Sequence, residues 1–142
     1  MAIVGKFWNA TLTVNSVVLT TRVRSAVLTI GKEIFDLTVF GQAGRVRAAS
    51  GLEDHSLAVE FIEDLAASGA GAVQATLLGI WTAGTPVPIK FRMDSGALST
   101  TNPEFDFDAV LGTLPIGGQQ GGLFVTSVTF LSSGVLTVDT TP

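Results

Sequence analysis

The chain has 142 residues, eight Lys and Arg against twelve Asp and Glu, one histidine and no cysteine. The length suits one domain with a self-sufficient core over residues 1–142, while the missing cysteines and the lone His55 exclude disulfides, thiolate metal sites and multi-histidine centres. The acidic balance, with no basic run, argues against a surface built to grip nucleic acid.

Charged residues make up 14% of the chain, where an ordinary globular domain has about a quarter, and the mean hydropathy is +0.50. Two segments, 65–89 and 109–138, carry no charge at all. A membrane-spanning helix needs about 20 predominantly apolar residues in a row. The first segment is interrupted by Gly69, Gly71, Gly79, Gly84, Pro86 and Pro88, the second by Pro115 and two glycine pairs, so neither reads as a span. The first six residues lack the basic-then-apolar order of a signal peptide, so a soluble, unexported chain is expected. The scarcity of charge points instead to a surface that meets other protein, as in an obligate oligomer.

Strand signals dominate from the start. Residues 7–14 alternate, with Ala10, Leu12 and Val14 on one side and Thr11 and Thr13 on the other. Asn15-Ser16 predicts a turn. Residues 17–30 are rich in Val and Thr and too long for one flat strand, so a break or bend is expected near Arg24-Ser25. Gly31-Lys32 predicts another turn before a strand over residues 34–40. Residues 41–51 hold three glycines, small residues and Arg45 and Arg47, without sustained alternation, and read as a long exposed loop. Alternation returns at 56–62, with Leu57, Val59 and Phe61 on one face and Ala58, Glu60 and Ile62 on the other.

One helix is predicted at about residues 71–82, where Val73, Leu77, Ile80 and Trp81 form an apolar stripe that puts Trp81 in the core. Ala83-Gly84-Thr85-Pro86 ends it. Strands follow at about 87–93, 104–112, 122–131 and 134–140, the last two closing a hairpin through Ser132-Ser133-Gly134. The sum is a mainly β fold: an antiparallel β-sandwich or barrel with one flanking α-helix.

No segment carries recognisable catalytic machinery. Ile116-Gly-Gly-Gln-Gln-Gly-Gly122 has neither the lysine nor the following helix of a phosphate-cradling loop and reads as a turn. Asp54-His55-Ser56 places three triad residue types side by side, but neighbours in a strand point to opposite faces, so His55 is expected on the surface or in a loop. Glu104, Asp106 and Asp108 share one face of their strand, with Phe105 and Phe107 on the core side. A straight strand lacks the bent loop of calcium ligands, and no sugar cleft is announced, which leaves a solvated face or a charged surface facing something anionic. Gln42, Arg45 and Arg47 are either solvated or a contact to carboxylates on another copy. No metal, cofactor or catalytic residue is expected.

Several pieces, read in order, resemble the siphophage major tail tube family. They are Asp36-Leu-Thr-Val-Phe-Gly41, Gly51-Leu-Glu-Asp54, Ser56-Leu-Ala-Val-Glu-Phe-Ile-Glu-Asp64, Gly84-Thr-Pro-Val-Pro-Ile89, Asn102-Pro103-Glu104-Phe105, and Pro115-Ile-Gly-Gly118 leading to Val125-Thr-Ser-Val-Thr129. The order and spacing carry the resemblance, from about residue 30 to the C-terminus.

The resemblance implies a non-enzymatic virion protein that stacks in hexameric rings, whose inner sheets join into a barrel through which DNA passes during ejection. It implies a place in the virion tail, with assembly in the host cytoplasm. Tape-measure, tail terminator and baseplate proteins are the implied partners, with no membrane. The 41–51 loop then reaches an adjacent ring through Gln42, Arg45 and Arg47, and Glu60, Glu104, Asp106 and Asp108 are the candidates for an acidic lumen that lets DNA slide without sticking. Alternatives are a capsid decoration protein, a tail terminator, a tube of an injection or secretion system, or a small hydrolase built on the acidic strand.

Overall fold

The computed structural model of the protein describes residues 9–63, 73–118, 120–122 and 124–142. Eight strands, all paired antiparallel, form one hydrogen-bonded sheet. They are β1 (Thr11–Val14), β2 (Val17–Val18), β3 (Val23–Asp36), β4 (Arg47–Ile62), β5 (Val87–Arg92), β6 (Glu104–Val110), β7 (Val125–Ser132) and β8 (Thr137–Asp139), with one helix, α1 (Val73–Ala83), between β4 and β5. The order across the sheet is β2-β1-β5-β6-β7-β4-β3, and β8 pairs with β6.

The strand expected over 7–14 is seen over Thr11–Val14, its first two residues lying outside the described ones. Leu12 and Val14 are buried, as their parity predicts. Asn15 and Ser16 both take positive φ, 49° and 66°, the geometry that lets a two-residue hairpin follow the twist of its strands. The long Val/Thr segment is broken by a 3-10 turn at Thr20–Arg22, and the register shifts between Val23 and Ser25, where the bend is expected.

Beyond that point the structure corrects the local reading. Gly31-Lys32 is not a turn: β3 runs through it, pairing Ile30 with His55, Gly31 with Asp54 and Lys32 with Glu53. The loop is residues 37–46, not 41–51, because Arg47, Ala48 and Ala49 pair with Asp36, Phe35 and Ile34. Small residues without alternation become strand here because β3 supplies the ladder. Helix α1 buries Val73, Leu77 and Ile80, but Trp81 is 51% exposed. At 100° per residue Trp81 lies about 80° round from Val73, at the margin of the stripe, and its indole N–H donates to the Gly112 carbonyl at 3.2 Å. The helix ends at Gly84 (φ +69°), whose N–H donates to Ile80 O; residues 71 and 72 of the expected helix lie outside the described ones.

The last two strands do not form a hairpin. β7 pairs with β6 only at Ala109↔Ser132 and Val110↔Leu131, then parts from it, and β8 takes the vacated edge through Glu104↔Asp139, Phe105↔Val138 and Asp106↔Thr137. The sheet is rolled around one core. Ala26 and Leu28 of β3 line the same 340 Å³ cavity as Phe91 of β5 and Phe105 of β6, although three strands separate β3 from β5 in the ladder. Phe107 is buried as expected, while Phe105 stays partly exposed at that cavity. The barrel alternative of the sequence reading is thus the closer description.

Candidate assembly site

Of β4, Ser56–Ile62 pairs with β7 on one side and Ser56–Phe61 with β3 on the other. Among the described residues the remaining halves, 31–36 and 47–54, pair only with each other, so the β3–β4 hairpin projects from the sheet as an arm of about 20 Å. An isolated two-stranded hairpin is marginal in water. This one nevertheless exposes Ile34, Phe35, Leu37, Val39 and Leu52, and at its tip Phe40 is 106% exposed. Apolar side chains concentrated on an unsupported arm are the signature of a surface that another chain covers.

The tip is ordered by its own hydrogen bonds. Leu37 N–H donates to Val46 O (2.7 Å), Val46 N–H to Thr38 Oγ1 (2.8 Å), and Thr38 N–H to Asp36 Oδ1 (3.0 Å). Gln42 Oε1 accepts the Val39 N–H at 2.8 Å, and the turn passes through Gly41 at φ +89°. Arg45 donates to Asp36 Oδ2 at 2.6 Å. Thr38, then Arg45, holds the Asp36 carboxyl below the usual carboxylate range. Gln42 and Arg45 therefore shape the loop from within, while Arg47 is exposed at its mouth, in register with Asp36.

β3 is also an edge strand, with a 14-residue outer edge that no strand of the described chain covers. Such an edge is a template for pairing with another chain.

Where the arm leaves the sheet sits His55, and the expectation of a surface or loop histidine is wrong: it is 3% exposed. Its Nδ1 accepts the Gly31 N–H at 3.2 Å, its Nε2 lies 2.9 Å from Glu53 Oε1, and its backbone N–H donates to Ser132 Oγ at 2.9 Å. Glu53 Oε1 also accepts the Leu136 N–H at 3.4 Å. The His55 hydrogen bond, then Leu136, lowers the Glu53 pKa. The signal was present in the sequence, since His55 has the parity of the buried Leu57, Val59 and Phe61.

The acidic candidates lie on the outward face of the sheet. On β6, Glu104, Asp106 and Asp108 stand in register with Arg92, Lys90 and Pro88 of β5, and Glu104 and Asp106 with Asp139 and Thr137 of β8. Burial, reinforced by Glu104 and Asp139 and offset by Lys90, pushes Asp106 up to about 6. Its Oδ1 is shielded from solvent with no hydrogen-bond partner among the described residues. Glu60 is not gathered with them: it lies on β4, beyond β7, ion-paired to Arg24 at 3.3 Å. Among the described residues no group of three or more His, Asp and Glu side chains is placed to hold a metal, and no helix is long and apolar enough to cross a membrane.

No protein-family model and no curated protein matches the sequence. Solved structures do match the fold. A chain in the virion of a native gene transfer agent particle superposes with a TM-score of 0.73 at 13% identity, covering 96% of this chain and 98% of its own. A chain in the tail of an empty gene transfer agent particle with C6 symmetry gives 0.71 at 15% identity, again covering 96% and 98%. At these identities the likeness is one of fold, and it spans nearly the whole of each chain.

Proposed function

We propose that this chain is the structural subunit of a phage-type tail tube, assembling into six-membered rings that stack end to end. The observation that carries this reading is the near-complete, two-way fold match to a chain of a C6-symmetric tail. The open edge of β3 and the apolar arm support it, because both leave surface and backbone groups that a neighbouring copy can satisfy. Lateral contacts use the sheet edge, and the arm, with Gln42 and Arg45 in its tip loop and Arg47 at the loop's mouth, reaches the next ring. The face bearing Glu104, Asp106 and Asp108, with Glu60, lines the lumen, where negative charge repels phosphate and DNA passes without specific binding. The subunit has no catalytic role and works in the virion tail, with tape-measure, terminator and baseplate proteins at the tube's length and ends.

Negative-stain electron microscopy of the purified protein across a concentration series, alone and with added tube fragments, tests the proposal. Hollow striated tubes or sixfold rings are expected. Compact trimers under all conditions would replace it with a capsid decoration role.

A further inference from the structure

We propose that His55 is a pH-responsive latch at the root of the β3–β4 arm. The hydrogen bonds define the neutral ring. Because Nδ1 accepts the Gly31 N–H, the ring proton sits on Nε2 and is donated to Glu53. At His55 meet β3 through Gly31 and β4 through Glu53 on the ring, the end of β7 through Ser132 on the backbone N–H, and the β7–β8 connection through the Leu136 amide on Glu53.

The location gives the ring its leverage. The β3–β4 register shifts between Lys32 and Ile34, so the ladder is irregular just where the arm loses β7 as a neighbour. There the Gly31 amide is taken by a side chain. Gly31 also approaches β4 so closely that a Cβ would stand 3.0 Å from the Asp54 carbonyl oxygen.

Protonation puts a second N–H on Nδ1, facing the Gly31 N–H, and a donor then meets a donor. The ring is 3% exposed, and the Gly31 amide loses the acceptor that the neutral ring gives it. Glu53 stays beside Nε2, which keeps its hydrogen bond, so the conflict is relieved by displacing Gly31 and the arm. The other groups around the ring do not offset this. Ser132 and the Leu136 amide are uncharged, Lys32 acts on Glu53, and the Glu33 carboxylate accepts the Leu52 N–H at 3.4 Å. Histidine is the side chain whose ordinary titration falls in the range where such a change is useful. Acidification therefore loosens the arm while leaving the barrel intact.

The chain's single histidine makes the test direct. The imidazole resonances of the full-length protein are followed from pH 8 to 5, together with amide-exchange protection factors corrected for intrinsic rate. Expected is an Nε2–H tautomer at high pH, then a loss of protection of about tenfold or more over residues 31–36 and 47–54 with the same midpoint as the ring. Residues 57–61 and 126–130 keep their protection. His55→Gln, which retains one donor and one acceptor, should hold the arm closed and abolish the step. Arm protection unchanged through the ring's titration, a ring that stays neutral in the folded protein down to pH 5, or a step that survives in His55→Gln would each overturn the latch. If His55→Gln does not fold, the coincidence of the two wild-type midpoints decides.

Discussion

Asp106 is a side chain whose ionisation works against the fold. Its folded pKa of about 6 lies above the ordinary 3.8, so between those values the native state holds a proton that the unfolded chain releases. The stability linked to this group is fully present below pH 3.8 and declines as pH rises through 6. Asp106→Asn should therefore raise the denaturation midpoint at pH 7, and the difference between variant and wild type should shrink as pH falls toward 4; urea melts across that range check it. A variant less stable than wild type at pH 7 would show that the carboxylate is a net stabiliser. Asp36 and Glu53 have the opposite sign, since their lowered pKa values give stability that is lost on acidification. On α1, Trp81 and Leu77 separate exposure from burial. Trp81→Ala should cost about 1 kcal/mol, chiefly its hydrogen bond to Gly112, and the fully buried Leu77→Ala about 2–5 kcal/mol. Denaturant unfolding of the two variants measures the order directly.

The arm is the element on which the proposed assembly turns. Its strands are held to each other by a ladder and, among the described residues, by no third strand, while its apolar residues face outward on both β3 and β4. Replacing residues 38–45 by a two-residue turn spares the paired Arg47, Ala48 and Ala49. The expected product unfolds at nearly the wild-type denaturant concentration, because none of the core cluster falls within residues 38–45, yet forms no stacked tubes. Tubes of normal length from this variant, seen by electron microscopy, would remove the tip from the inter-ring contact. A cut extended through Ala49 would not separate the two effects, since it takes strand with loop.

For the whole molecule, one fact recurs in composition and in structure: too little charge for a free surface and too much apolar side chain on it. Val27, Ile30, Ile34, Leu52 and Val135 are each more than half exposed. Burying such positions between copies is the hydrophobic contribution that would hold a ring or stack together. Assembly followed by light scattering should accordingly strengthen on warming from about 5 to 25 °C, as apolar association does, with 1 M salt failing to dissolve it. Dissolution by salt alone would place the dominant contacts in ion pairs such as those of Arg45 and Arg47.

Alternation and turn chemistry made the β character legible in sequence, along with the Asn15-Ser16 turn, the helix stop at Gly84-Thr-Pro and the single acidic face of β6. These depend on residues within a few positions of one another, which is the range over which a pattern carries information. The tertiary structure alone decided that β3 continues through Gly31, that Ala48 and Ala49 are strand, and that β8 lies beside β6 instead of β7. It also turned Trp81 toward solvent and gave the buried His55 its partners. The partners responsible are distant: His55 meets Gly31 at a separation of 24 residues and Ser132 at 77, and Glu53 meets Leu136 at 83. A glycine or histidine read locally shows its own preferences, but a cross-strand neighbour supplies the hydrogen bonds and burial that override them.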